Sequence, residues 1–404
     1  MNTQKREPNI RFNQFKELWK VVKLDSISKK VKSKNLNNTF ENVLTNSAEF
    51  GIIPQRDFFD KDIANLKSLN GYYVVQPNDF VYNPRISNKA PVGPIKANFL
   101  NTTGVMSPLY YVFRTQNIDV FFLAKYFDSS YWHKFMKLNG DTGARSDRFA
   151  IKDSVFKEMP IPFPSHSEQF AIGSLFCTLD ELLASYRDNL ANYQSLKETM
   201  FSKMFPKVGQ IVPEIRLDGF EGDWEIKRAD EIFKSVSKKN RASLPVLSAS
   251  QIDGMVLRDE IGIDIKYDEE TLNNYKVVKP GQFVIHLRSF QGGFALSKLE
   301  GITSPAYTII DFIDKENHLP DFWNSILTSR DFIKRLETVT YGIRDGKSIS
   351  FKDFSSLKFV FPNFKEQQAI GSYFSNLDNL ITAHQEKISQ LETLKKKLLQ
   401  DMFV

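Results

Sequence analysis

Residues 164–206 and 362–404 are one segment written twice at a fixed offset of 198, without a gap, and 15 of the 43 aligned positions are identical. Such a repeat takes precedence over any local reading. In the first copy apolar residues fall at Ile172, Phe176, Leu179, Leu183, Tyr186, Leu190 and Tyr193, in alternating steps of four and three that make the a/d seam of a coiled coil. The second copy places Ile370, Phe374, Leu377, Ile381, His384, Ile388 and Leu391 in the same frame. Both copies break the seam identically, with Lys197 and Lys395 at an a position, before Met200 and Leu398, then Met204 and Met402, resume it. Two unrelated amphipathic helices would not share Ala-Ile-Gly-Ser, Leu-Asp and the same charged defect, so the pattern predicts duplicated long helices.

The rest of the chain repeats as well. Pro8, Ile10, Arg11 and Phe12, followed by Phe15 and Trp19, return as Pro213, Ile215, Arg216 and Leu217, followed by Phe220 and Trp224. The run 74–83 answers 277–286, Gly104, Ser107, Pro108 and Tyr110 answer Gly301, Ser304, Pro305 and Tyr307, and Gly143 and Arg145 answer Gly342 and Arg344. Between these landmarks lie β-rich runs, Tyr72–Val75, Tyr110–Phe113, Lys276–Val278 and Tyr307–Ile310, bounded by Pro, Gly and Asn turns, and helical stretches at Ile118–Leu138 and Phe322–Leu336. The fold class expected is α+β: a globular domain at 1–160, a long helix at 161–206, a second domain at 207–360 and a second long helix at 361–404.

Connectivity constrains the arrangement. A linker of about seven residues after the first helix puts the second domain at that helix's far end, so the second helix has to run back. Helices of roughly 37 residues at about 1.5 Å per residue would form an antiparallel pair on the order of 55 Å long, a pseudo-two-fold and nearly circular molecule.

A single cysteine, Cys177, excludes an internal disulfide, and no run of eighteen apolar residues or signal-peptide core is present, which favours a soluble cytoplasmic protein. A net charge of +6 with 35 Phe and 14 Tyr makes nucleic acid the first partner to consider.

The order of these elements resembles the specificity subunit of type I restriction-modification enzymes. The likeness rests on Pro-x-Ile-Arg followed by Trp, the Gly-x-Arg loop, the run of Pro160, Pro162 and Pro164 (or Phe359, Phe361 and Pro362) into Glu-Gln, and the doubled helix, and it spans nearly the whole chain. The resemblance implies two target-recognition domains that each read half of an asymmetric, split sequence in double-stranded DNA, with the helices setting the spacer. It further implies two modification subunits carrying S-adenosylmethionine, and restriction (motor-nuclease) subunits using ATP and Mg²⁺; this chain would itself hold no cofactor or metal and catalyse nothing.

Candidate DNA-binding residues are Arg145, Arg148, Arg344 and Lys347 in and after the Gly-x-Arg loops, where glycine allows close backbone approach and arginine can pair with guanine or phosphate. Asn83, Arg85, Asn88 and Lys89 after one strand, and Arg288, Ser289 and Gln291 at the related place, carry donors and acceptors suited to base edges. Trp19 and Trp224, at matched positions, read as core anchors rather than stacking platforms, and His384 as a seam residue rather than a catalyst. Two other functions are weighed against this. A methyltransferase would need an Asn/Asp-Pro-Pro-Tyr/Phe motif, yet Asn83-Pro84 is followed by Arg85. A coiled-coil scaffold would show no DNA affinity even at low salt. A specificity subunit of a related system that cuts on both sides of its site is a narrower variant.

Overall fold

The computed structural model of the chain describes residues 7–59, 66–142, 147–207, 209–250, 253–261, 269–289, 292–339 and 351–404. The chain divides into two compact units, 1–188 with 386–404 and 189–385, so each long helix is shared between them.

Each unit is organised on a four-stranded antiparallel sheet. Its strand order in the first is Ser28–Lys30, Tyr111–Thr115, Phe80–Tyr82, Ile95–Ala97, and in the second Phe233–Val236, Thr308–Phe312, Phe283–Ser289, Gly292–Leu296. Alternation along the strands sorts side chains to two faces. Phe80, Tyr82, Tyr111 and Phe113 face the large core that includes the long helices, while Val81 and Val112 face a small core under the flanking two-stranded ribbons. In the second unit Phe283, Ile285, Ile310 and Phe312 take the first role and Val284 and Ile309 the second.

The repeated landmarks have structural duties. In the runs 74–83 and 277–286, proline followed by Asn78 or Gly281 makes a tight turn: both residues have positive φ, 69° and 83°, and Asp79 and Gln282 close it through backbone bonds of 3.1 Å to Gln76 and Lys279. At Gly104 and Gly301 a Cβ would lie 2.5 Å from Leu44 and 2.6 Å from Leu247, so close ribbon packing excludes a side chain there.

Helix content departs from expectation in one detail. The single stretches expected near 118–138 and 322–336 are each two helices, Val120–Asp128 with His133–Asn139, and Pro320–Leu327 with Arg330–Val339. Serine causes the break at matched places: Ser129 Oγ donates to Tyr126 O at 2.6 Å and Ser329 Oγ to Ile326 O at 2.8 Å, which competes with helical continuation.

The long helices span His166–Met204 and Phe364–Asp401, 39 and 38 residues, and begin where Ser165 and Asn363 side chains accept the amides of Glu168 and Glu366. Within each unit the two helices lie antiparallel. In the first, Asp180 meets Lys395 and Arg187 meets Glu392; in the second, Tyr193 meets His384 and Lys197 meets Asp378. The seam is deepest where the helices also enter the domain cores: Ile172, Phe176, Leu179 and Leu183, and Ile370, Phe374 and Leu377, are buried, whereas Leu190, Ile381 and Ile388 are half-buried. His384 sits against Tyr193, in keeping with a seam residue.

The Ile-Arg and Glu-Gln motifs prove to be two ends of one clamp. Arg11 Nε and an Nη donate to both oxygens of Glu168, at 2.7 and 2.8 Å, and Arg216 does the same to Glu366 at 2.6 Å. Gln169 and Gln367 donate to Pro164 O and Pro362 O at 2.9 Å and accept the amides of Asp119 and Leu319, which open the helices starting at 120 and 320. Trp19 and Trp224, 1% and 3% exposed, fill the cores beside these clamps, as anchors. At the other helix end, Asp401 O accepts Ile10 N and Lys203 O accepts Ile215 N, both at 2.9 Å. Among the described residues no helix is long and apolar enough to cross a membrane.

Candidate nucleic-acid interface

In the first unit, the strand Phe80–Tyr82 ends in a loop whose course is set by backbone pairing. Phe149 N donates to Pro84 O at 2.7 Å and Ile86 N to Asp147 O at 3.0 Å, so 84–86 runs beside 147–149. A turn closed by mutual bonds of Ser87 and Ala90 follows, and Gly93, at φ +81°, passes so close that a Cβ would lie 2.1 Å from Asn83 O.

This pairing gathers Asn83, Arg85, Asn88, Lys89 and Arg148 into one open cleft of about 650 Å³. Its lining is completed by Thr45, Asn46 and Ser47 of the strand Leu44–Ser47, by Glu49 in the turn to the strand Gly51–Pro54, and by the aromatic residues Phe58, Phe59 and Tyr110. Arg85, 66% exposed, reaches Asp147 at 3.7 Å, and Lys89, 64% exposed, reaches Glu49 at 2.7 Å. Exposed pairs of this kind are worth well under about 1 kcal/mol, so a phosphate or base edge can replace the carboxylate while the pair holds the cation in place beforehand. Asn88 is exposed and Arg148 half-buried.

Asn83 has a different position from the others. It is buried, its amide donates to Asn46 O at 2.9 Å, and its oxygen accepts Arg85 N at 3.0 Å. Its side chain shapes the loop that presents Arg85. Arg145 lies outside the described residues, as do Gln291, Arg344 and Lys347.

In the second unit the related segment is built differently. The strand runs on to Ser289 and returns through a hairpin to Gly292–Leu296, with a register shift between Ile285 and Ser289, so Arg288 and Ser289 are strand residues rather than loop residues; their side chains lie outside the description. The extension replaces the longer loop between Tyr82 and Ile95 of the first unit. Asn83 is answered by His286, whose imidazole burial holds below its usual value of 6.5 and therefore neutral at neutral pH. The two units thus share a scaffold and differ at the segment that lines the cleft.

Sequence reasoning overlooked part of this lining. Phe58, Phe59 and Glu49 carry no motif; only the turn between the strands Leu44–Ser47 and Gly51–Pro54, not recognised as a hairpin, would have pointed to them.

The two units thus repeat one α+β scaffold on paired long helices, and the first carries a cleft lined by Arg85, Lys89 and Arg148. Residues 221–393 match the family described as type I restriction modification DNA specificity domain. The chain is 23% identical to the specificity subunit of the type I restriction enzyme MjaVIII of Methanocaldococcus jannaschii, with 95% of this chain and 91% of that protein covered. It shares the fold of the type I restriction-modification S subunit from M. genitalium, with a TM-score of 0.59 at 15% identity over 98% of this chain and 99% of the other. A chain from a study of complex assembly and conformational transition in a type I system matches with a TM-score of 0.50 at 16% identity, over 95% and 97%. The chain is thus similar over most of its length to type I restriction-modification specificity subunits, and its second half matches their DNA specificity domain.

Proposed function

We propose that the chain is the sequence-specific DNA-binding subunit of a type I restriction-modification complex, each unit reading one half of a bipartite, asymmetric target. The observation that supports this most directly is that the two units repeat strand by strand and diverge where the cleft is lined. Two different half-sites require that combination of common scaffold and different edge.

In the first unit Arg85, Lys89 and Arg148 are the cations that meet DNA, with Asn88 beside them. Cleft cations supply phosphate affinity and, where they reach guanine, base discrimination. Arg145, Arg344, Lys347, Arg288, Ser289 and Gln291 complete the proposed contact set. Two modification subunits, bound to the helices and neighbouring domain surfaces, carry S-adenosylmethionine and methylate the DNA, and restriction subunits with ATP and Mg²⁺ cut it; the reactions belong to those partners.

Mapping methylated adenines in cells that carry the chain with its modification subunits tests the proposal. Methylation confined to one split sequence is the expected result. Purified chain that shows no DNA affinity even at low salt, alone and with modification subunits, would favour a scaffold and overturn it.

A further inference from the structure

Away from the cleft, the first unit contains a chain of alternating charges. Lys96 Nζ lies 2.6 Å from Asp128, Lys125 Nζ lies 3.2 Å from the same carboxylate and 2.7 Å from Asp180, and Lys395 Nζ lies 2.5 Å from the other oxygen of Asp180. The network runs from the sheet, through the helix Val120–Asp128, to both long helices, along the floor of a groove of about 810 Å³. Lys125 is its most buried member, with its side chain 10% exposed.

Its helix portion is repeated and its domain portion is not. Asp180 with Lys395 corresponds to Asp378 with Lys197, also 2.5 Å apart. The three domain residues have neutral counterparts. Lys96 stands opposite Val81 in its sheet as Ala295 stands opposite Val284, which makes Ala295 the equivalent of Lys96. Gln169 accepts Asp119 N as Gln367 accepts Leu319 N, so the positions six and nine residues onward match Lys125 with Ser325 and Asp128 with Thr328. Ser325 Oγ turns to its own helix, donating to Asp321 O at 3.2 Å.

The helix Val120–Asp128 is therefore held to the first long helix by polar contacts at both ends, Asp119 with Gln169 and Lys125 with Asp180, whose anchoring residues are about 16 Å apart at 1.5 Å per residue. Its counterpart Pro320–Leu327 has that polar contact at its start, through Leu319, and a serine where the second would be. Both helices are packed by buried apolar side chains, and the second polar attachment adds to the first a constraint on angle that its counterpart lacks. We propose that Lys96, Lys125 and Asp128 are positioning residues that set the angle of the first reading domain on the helix pair and so restrict the spacer length the protein accepts. This rests on the DNA-reading function proposed above.

The second unit supplies the test variant, K96A/K125S/D128T, in which Asp180 keeps Lys395 just as Asp378 keeps Lys197. Full-length chain with its modification subunits is assayed on DNA carrying the mapped half-sites with the native spacer or one base pair more or less, alongside a thermal melt. The expected result is that the native chain methylates one spacer, while the variant methylates the altered spacers about tenfold more than the native chain does, a partial relief of the roughly hundredfold penalty that a misplacement of about 1 Å can carry. Both half-site sequences should stay unchanged. A folded variant that stays as strict as the native chain overturns the inference and leaves the function standing, whereas native chain that directs no site-specific methylation overturns the function itself. Should the triple variant not fold, K125M read in the same way decides.

Discussion

At the scale of single residues, Arg11 and Arg148 mark the contrast between folding and function. Arg11 is spent on Glu168, whose side chain is 1% exposed, and Arg216 on Glu366 at 0%. Removing one partner leaves a buried carboxylate uncompensated, so Arg11→Ala should cost about 3 to 5 kcal/mol, read as a lowered urea midpoint, with the cleft otherwise intact. An unchanged midpoint would show that water replaces the guanidinium at no cost. Arg148 lines the cleft, and Arg148→Ala should leave the melting temperature in place and weaken DNA binding. If it meets phosphate, the salt slope of affinity drops by about 1 for every sequence; if it meets a base, about 1 to 3 kcal/mol is lost at one position of one half-site. Titration at several salt concentrations separates the two, and no change in either quantity removes Arg148 from the interface. Cys177 is half-buried in the first long helix and burial pushes its thiol up, which disfavours the reactive thiolate.

At the scale of elements, the shared defect at Lys197 and Lys395 is a pair of cross-helix contacts, to Asp378 and Asp180, inside the second and first units respectively. The Lys197 contact is largely exposed and the Lys395 contact partly buried, so the value of the first lies in fixing which residue faces which more than in stability. The first unit's larger network gives a pH signature. Burial pushes Asp128 and Asp180 up, but their lysine partners outweigh it and both end below the usual 3.8. Burial pulls Lys125 down, but Asp128 and Asp180 outweigh it and it ends above 10.5. A lowered carboxylate contributes stability that is full above its unfolded pKa and disappears as pH falls through the folded value; a raised lysine contributes below 10.5 and loses it as pH climbs through its folded value. The stability difference between the native chain and K96A/K125S/D128T should therefore be flat from about pH 5 to 9 and shrink toward about pH 3. Thermal melts across that range check it; a difference that grows in acid would contradict the assignment.

At the scale of the whole molecule, the duplication predicts that the two units can be exchanged separately. Replacing about 8–160 with the corresponding domain of another specificity subunit should change one half-site and leave the other half-site unaltered, as read by methylation mapping. Changes in both halves would mean that the units do not read independently. The interchange is plausible because each clamp closes within one unit, Arg11 on Glu168 and Arg216 on Glu366, and an exchange that retains the Pro-x-Ile-Arg segment retains its partner on the helix.

Periodicity and repetition in the sequence determined the α+β class, the two long helices with their apolar seam and the recurrence of β-rich runs in both halves, because these depend on local spacing of apolar side chains that a second copy states again; the order in which the strands pair was decided by tertiary structure. The tryptophans were legible as anchors for the same reason. What the Ile-Arg and Glu-Gln motifs do was decided only by tertiary structure, since Arg11 and Glu168 are 157 residues apart and become partners when the helix docks. The cleft was half legible: Arg85, Lys89 and Arg148 announced themselves by type, but Asn83 turned inward, and Phe58, Phe59 and Glu49 joined the lining through a hairpin that no motif marks. The network through Lys125 was invisible beforehand, because a lysine on an apolar helix acquires a role only when carboxylates from separate elements are folded against it.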